Sequence, residues 1–152
     1  MIAKEYPHKV INASISGETS GGGLRHINQS LVQHKPKIVV IELGANDGLR
    51  GLKLSQLKLN LAKITDLSLT KQAKVIIVGM RLPPNYGPAY TKAFSNVFFE
   101  VSQLKKASLV PFMFQGFEND LRYFQADQIH PNAQAQPLIL DNIWPTLLPY
   151  LK

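Results

Sequence analysis

The chain has 152 residues, 45% hydrophobic and 18% charged, with ten glycines and ten prolines spread along it, which predicts one globular domain and excludes disordered, collagenous or low-complexity chains. Seventeen Lys+Arg against ten Asp+Glu give a formal net charge of +7, but the cations fall singly (Lys4, Lys9, Arg25, Lys35, Lys53, Lys58, Lys63), so they read as a solvated basic surface. No nucleic-acid partner is expected, while the field favours anionic substrates or lipid headgroups without identifying either; the absence of cysteine removes disulfides, thiolate metal sites and a cysteine nucleophile.

In chain order, the segment from Met1 to Pro7 lacks the apolar stretch of a signal peptide, and no later run approaches the ~18 apolar residues of a membrane span. Short runs rich in Val and Ile, separated by segments of helical period, predict strands alternating with helices in a parallel sheet. The strands are expected at about 9–12, 38–43, 75–80 and 109–112. Between the first two, Leu24, Ile27, Leu31 and Val32 mark a helix that ends near His34, before Pro36. Ser55 reads as the N-cap of a second helix with Leu57, Leu61 and Ile64 as its buried stripe. A third is predicted over 90–106 on Phe94, Val97, Val101 and Leu104. A fourth runs over about 132–148, interrupted or kinked by Pro137 and Pro145. There is no internal repeat, linker or second domain.

Loops that follow the carboxyl ends of strands are where an open α/β sheet binds ligands. The second strand runs into Gly44-Ala45-Asn46-Asp47-Gly48, where the Asn46 amide can point at a developing oxyanion. Taken alone, an ordinary Asn/Gly turn accounts for this run better. The first strand runs into 12–20, where the Gly17 backbone N–H is a second oxyanion donor, or Gly17 merely turns the chain while Thr19 or Ser20 caps the helix. Near the end, Asp127 and His130 stand three apart, a spacing that lets a carboxylate orient an imidazole as a general base; a helix-capping Asp/His turn has the same spacing. His8, His26 and His34 have no metal-site spacing and read as surface residues. No cofactor or metal is called for. The loop at 81–87 is either a substrate lip or a Pro-rich connector.

Taken in order, NASISGETS at 12–20, ELGANDGLRG at 42–51, RLPPNYG at 81–87 and DQIHPN at 127–132 resemble the later blocks of the SGNH (GDSL) hydrolases. The likeness is greatest to the bacterial branch of acyl-CoA thioesterases, lysophospholipases and arylesterases, and it runs from about Val10 to the C-terminus. The resemblance implies a three-layer, flavodoxin-like α/β fold with a parallel sheet, lacking the first βα unit, so that 1–152 is a single, N-terminally incomplete domain. It implies a hydrolase of small acyl esters or thioesters, lysophospholipids among them, acting through a serine acyl-enzyme without a cofactor. Gly17 and Asn46 then supply oxyanion donors, Asp127 and His130 complete the triad, and Leu49, Arg50, Arg81, Leu82 and Pro83 become candidate substrate contacts.

The family's opening strand and the GDS motif with its nucleophilic serine have no counterpart here. Ser14, Ser16 and Ser20 belong to the second block, so no nucleophile is assigned and the chain by itself is expected to be nearly inert. The alternative is a pseudoenzyme or acyl-ligand-binding domain. The missing strand is expected to leave a gap or an exposed sheet edge able to pair with another chain, a route to an oligomer. Compartment is left open: the family is often periplasmic or secreted, and no signal peptide is read in this chain.

Overall fold

A computed structural model describes residues 6–152. Its regular elements are α1 (Ser20–His34), β1 (Ile38–Ile41), α2 (Ala45–Leu49), α3 (Leu54–Thr70), β2 (Lys74–Val78), α4 (Pro88–Lys105), β3 (Ser108–Val110) and α5 (Gln136–Leu147). The strands form one parallel sheet in the order β1-β2-β3, with Ile41 level with Ile77 and Val78 level with Val110. Because each crossover helix returns the chain to the same edge, every strand starts at one end of the molecule and every loop that follows a strand opens at the other.

Side chains alternate across the pleat. Val39, Ile41, Val75, Ile77 and Leu109 face a core closed by Leu57, Leu61 and Ile64 of α3, by Phe94, Val97, Phe98 and Val101 of α4, and by Leu24 and Ile27 of α1. On the opposite face Ile76, Val78 and Val110 are buried under α5, which packs against β2 and β3. This is the flavodoxin-like α/β arrangement in a truncated, three-stranded form.

The stripe predicted for α3 is buried as expected, with Leu57 and Leu61 at 0% exposure and Ile64 at 1%. Four expectations need correction. Residues 9–12 form no strand, and Val10 is 64% exposed, because a strand exists only against a hydrogen-bonding neighbour and β1 is the last strand on that side of the sheet. Ser55 is not a cap: α3 starts at Leu54 with Lys53 at the N-cap position and no side-chain cap. Val32 and Leu104, placed on buried stripes by their period, are 62% and 64% exposed. Val32 directly follows Leu31, which is 2% exposed, and one step along a helix turns a side chain roughly 100° off that buried face; Leu104 sits in the last turn of α4, where the stripe runs past the packing neighbours. His26 is no free surface residue: its Nε2 lies 3.4 Å from a Glu18 carboxylate oxygen.

Two sequence features position the loops. Thr19, in extended conformation, caps α1 by accepting the Gly22 N–H. Asn132 begins the last helical segment by accepting the N–H groups of Gln134 and Ala135, and the turn at Ala133–Ala135 leads into α5. Pro137 is accommodated in the first turn of α5, where its missing N–H would have no partner.

Candidate active site

The loop after the first segment and the loop after β1 are tied together by side chains that donate to backbone carbonyls. Asn46 Nδ2 donates to the Glu18 carbonyl at 3.0 Å, and Arg50 Nη2 donates to the Gly17 carbonyl at 3.0 Å. Beneath them Asp47, 3% exposed, accepts the Ser20 N–H at 2.8 Å and the Ser20 hydroxyl at 2.5 Å. Asn60 of α3 donates to the same hydroxyl at 3.0 Å. A carboxylate this buried is tolerable only with such partners, and its acceptance of the first α1 N–H also suits the positive end of that helix.

Sequence reading did not single out this Ser20–Asp47–Asn60 network. The three residues are separated by tens of positions and share no spacing signal; an acid directly after Asn46 was the one visible hint. Ser20 is fully buried, with its hydroxyl engaged by both Asp47 and Asn60.

Two glycines are required by the geometry. Gly17 has φ of 73°, a left-handed turn conformation that costs other residues energy. At Gly48 an added Cβ would meet Phe94 at 2.6 Å and Leu82 at 2.9 Å, so α2 can press onto the core only without a side chain there.

The second half of the site lies between β3 and α5. Asp127 Oδ2 is 2.7 Å from His130 Nδ1, while Asp127 Oδ1 accepts the backbone N–H groups of Ile129 at 2.9 Å and His130 at 3.0 Å. Gln128 takes φ of 59° to close this turn. The ring hydrogen bond from His130 first, then the two backbone N–H groups, hold the Asp127 carboxyl down to about 2. The backbone carries the turn on a short two-stranded contact: Gln125 N–H donates to the His130 carbonyl and Asn132 N–H to the Tyr123 carbonyl, both at 2.8 Å. His130 is 70% exposed on its side chain, and among the described residues no serine hydroxyl bonds to it.

Of the candidate substrate contacts, Arg50 is exposed but already donates to Gly17, and the Leu49 carbonyl accepts the Tyr86 hydroxyl at 3.1 Å. Leu82 is buried, at 7% exposure, against Gly48. Arg81 lies 4.5 Å above the Phe112 ring and 3.7 Å from Glu118, and with Leu82, Pro84 and Lys92 it lines an open cleft of about 510 Å³. Pro83 precedes the short helical turn at Pro84–Tyr86. Gly17 and Asn46 are therefore brought together, as are Asp127 and His130. Both pairs lie at the edge where strands end, with no hydrogen bond between the pairs. Among the described residues no cluster of His, Asp and Glu suits a metal ion.

The sequence model of the GDSL-like lipase/acylhydrolase family matches residues 1–137, and the esterase TesA of Pseudomonas aeruginosa is 50% identical over 146 residues, 96% of this chain and 73% of that protein. The chain belongs to the GDSL-like lipase/acylhydrolase family. A further member, thioesterase 1/protease 1/lysophospholipase L1 of Escherichia coli, is 40% identical over 132 residues, 87% of this chain and 64% of that protein. The crystal structure of TesA superposes with a TM-score of 0.94 at 48% identity, covering 98% of this chain and 83% of that one. The expected family, its fold and its hydrolase character thus hold.

Proposed function

We propose that this chain carries the acid–base and oxyanion-binding parts of an ester and thioester hydrolase that works through a serine acyl-enzyme, and that the nucleophilic serine is not one of its own serines. The observation that carries this reading is the Asp127–His130 clamp: a ring nitrogen at 2.7 Å from a carboxylate that two backbone N–H groups also hold. Asp127 keeps the proton on Nδ1, so Nε2 is the basic nitrogen and removes the hydroxyl proton as the serine oxygen attacks the acyl carbon. The carbonyl oxygen becomes an oxyanion. Gly17 N–H and the second N–H of Asn46 Nδ2 are the donors proposed for it, since one Asn46 N–H is committed to Glu18. Collapse breaks the bond to the alkoxide or thiolate, which takes the proton from His130. Water, deprotonated by His130, then attacks the acyl carbon; the second collapse breaks the serine ester bond, releasing the acid, and the serine oxygen takes its proton back from His130.

The relatives named esterase and thioesterase/lysophospholipase support small acyl esters, thioesters and lysophospholipids as substrates, with Arg81 and Arg50 at the two lips of the site. The burial of Ser20 against Asp47 argues against it as nucleophile. Ser14 and Ser16 lie in the loop before α1 with no bond to His130, which also leaves room for the reading as a non-catalytic acyl-binding domain.

Hydrolysis of p-nitrophenyl butyrate by these 152 residues, by a form extended upstream through a GDS segment, and by each with His130→Ala separates the readings. Turnover by the extended form only, falling by about 10⁴-fold or more with His130→Ala, is the expected result. Histidine-dependent turnover by the 152 residues would place the nucleophile at Ser14 or Ser16. No turnover by either form would favour the binding domain.

A further inference from the structure

The end of the molecule opposite the candidate site gathers five lysines that are scattered in the sequence. Lys35 follows α1, Lys71 follows α3 and Lys106 follows α4. Lys37 precedes β1, and Lys74, which begins β2, donates its backbone N–H to the Lys37 carbonyl. All five are exposed, and among the described residues none forms an ion pair. The nearby acid Asp66 is already held by Lys105 at 2.6 Å. Cations at helix C-termini complement the helix dipole, which accounts for Lys35, Lys71 and Lys106 but not for Lys37 and Lys74, which stand at strand starts.

Apolar side chains are set among these charges. Val32 is 62%, Leu69 38% and Leu104 64% exposed, one in the last turn of each of three helices that pack side by side. Leu31 and Val32 with Lys35 and Lys71 line a shallow depression of about 350 Å³. Burial of the three would be favourable against any apolar medium, and lysines with long apolar stems are suited to flank such a contact.

We propose that this pole docks on an anionic lipid surface, with the five lysines over the headgroups and Val32, Leu69 and Leu104 dipping into the interface. Lysine clusters give such binding roughly 1 kcal/mol each near a charged bilayer, a factor of about five per residue, and exposed aliphatics add to it. Nucleic acid fits less well, because the pole has no arginine with which to fork onto phosphates and its one exposed ring is the small imidazole of His34. Docking in this orientation turns the Asp127–His130 edge away from the lipid and into water.

The test is co-sedimentation with large unilamellar vesicles of phosphatidylglycerol and phosphatidylcholine, against vesicles of phosphatidylcholine alone. Binding is expected only to the anionic vesicles. It should fall more than tenfold for Lys71→Glu with Lys74→Glu, fall several-fold for Val32→Ser with Leu104→Ser, and change little for Lys53→Glu with Lys92→Glu, which alters net charge equally but elsewhere. The substituted residues are exposed, and circular dichroism confirms that the variants fold. Equal binding to neutral vesicles, an equal loss for both charge-reversed pairs, no loss for Val32→Ser with Leu104→Ser, or displacement of the vesicles by duplex DNA would each overturn the proposal.

Discussion

The two ends of the parallel sheet are made by the same helices and strands, yet they present different chemistry. Where strands end, side chains reach across about thirty residues of sequence to backbone groups: Asn46 to the Glu18 carbonyl, Arg50 to the Gly17 carbonyl, Asp47 to the Ser20 N–H. Where strands begin, helix ends close on themselves, and the ties across the chain include the Lys105–Asp66 ion pair and the Ser108–Tyr150 hydroxyl pair, both at 2.6 Å. Lys35 and Lys106 end their helices in left-handed conformation, with the Lys35 N–H returning to Leu31 and the Lys106 N–H to Gln103. Long-range bonds fix the loops that carry Gly17 and Asn46, while Asp127 and His130 are fixed within their own turn; both hold atoms in place, as the proposed acid–base chemistry would require. The second end presents charge and apolar surface, which suffices for adhesion but not for chemistry.

If the contrast is real, substitutions at the strand-end edge should cost activity or global stability, and those at the strand-start pole neither. In a form that turns over substrate, after His130→Ala the largest effect expected is from Asn46→Ala. It removes a proposed oxyanion donor and one loop tether, and kcat should drop by about 10²–10³-fold with KM changed much less. Equal loss in KM would make Asn46 a residue that binds substrate or merely shapes the loop.

Next comes Asp47→Ala, which strands the buried Ser20 N–H and hydroxyl; chemical denaturation should register a loss of about 2–3 kcal/mol. A loss under 1 kcal/mol would mean that water replaces the carboxylate and that the tie between the two loops is dispensable. Smaller again is the response of the clamp to acid. Asp127 titrates below its unfolded value, so whatever the pairing contributes is present above about pH 4 and is lost as pH falls through about 2. The His130 ring resonances should therefore keep their clamped environment at pH 4 and lose it only below about pH 3. Loss already at pH 5 would mean that the clamp is open in solution.

How much of this could be read in the chain follows the same division. Asp127 and His130 were legible because the pairing is local, within one turn. Asn46 and Gly17 could be named from the residues as candidate oxyanion donors, but an ordinary turn explained them better until the resemblance was added. The Ser20–Asp47–Asn60 network carried no signal, being assembled by the packing of α1 on α3. Val32 was misread because an apolar residue directly after a buried one points off the stripe, and Leu104 because periodicity reports which side of a helix is apolar and not how far the neighbouring helices extend. Residues 9–12 were misread as strand because β-structure is a property of a pair. The basic pole was missed since its lysines, single in sequence, recur at each passage from helix to strand, and parallel topology brings those junctions together.

The smallest effect sets the two ends against each other most sharply, because one substitution should move two properties in opposite directions. Lys35 holds φ of 45°, a left-handed conformation that costs a residue with a Cβ about 1–2 kcal/mol and glycine nearly nothing. Glycine also enlarges the freedom of the unfolded chain, which offsets part of that relief. Lys35→Gly should therefore raise stability by about 0.5–1 kcal/mol, read as a higher denaturant midpoint with unchanged slope. The same change deletes one lysine of the pole, so affinity for phosphatidylglycerol vesicles should fall roughly five-fold. Stability and adhesion moving together would show that Lys35 serves its helix alone, whereas the opposed result means that a strained cap is kept for the charge it carries.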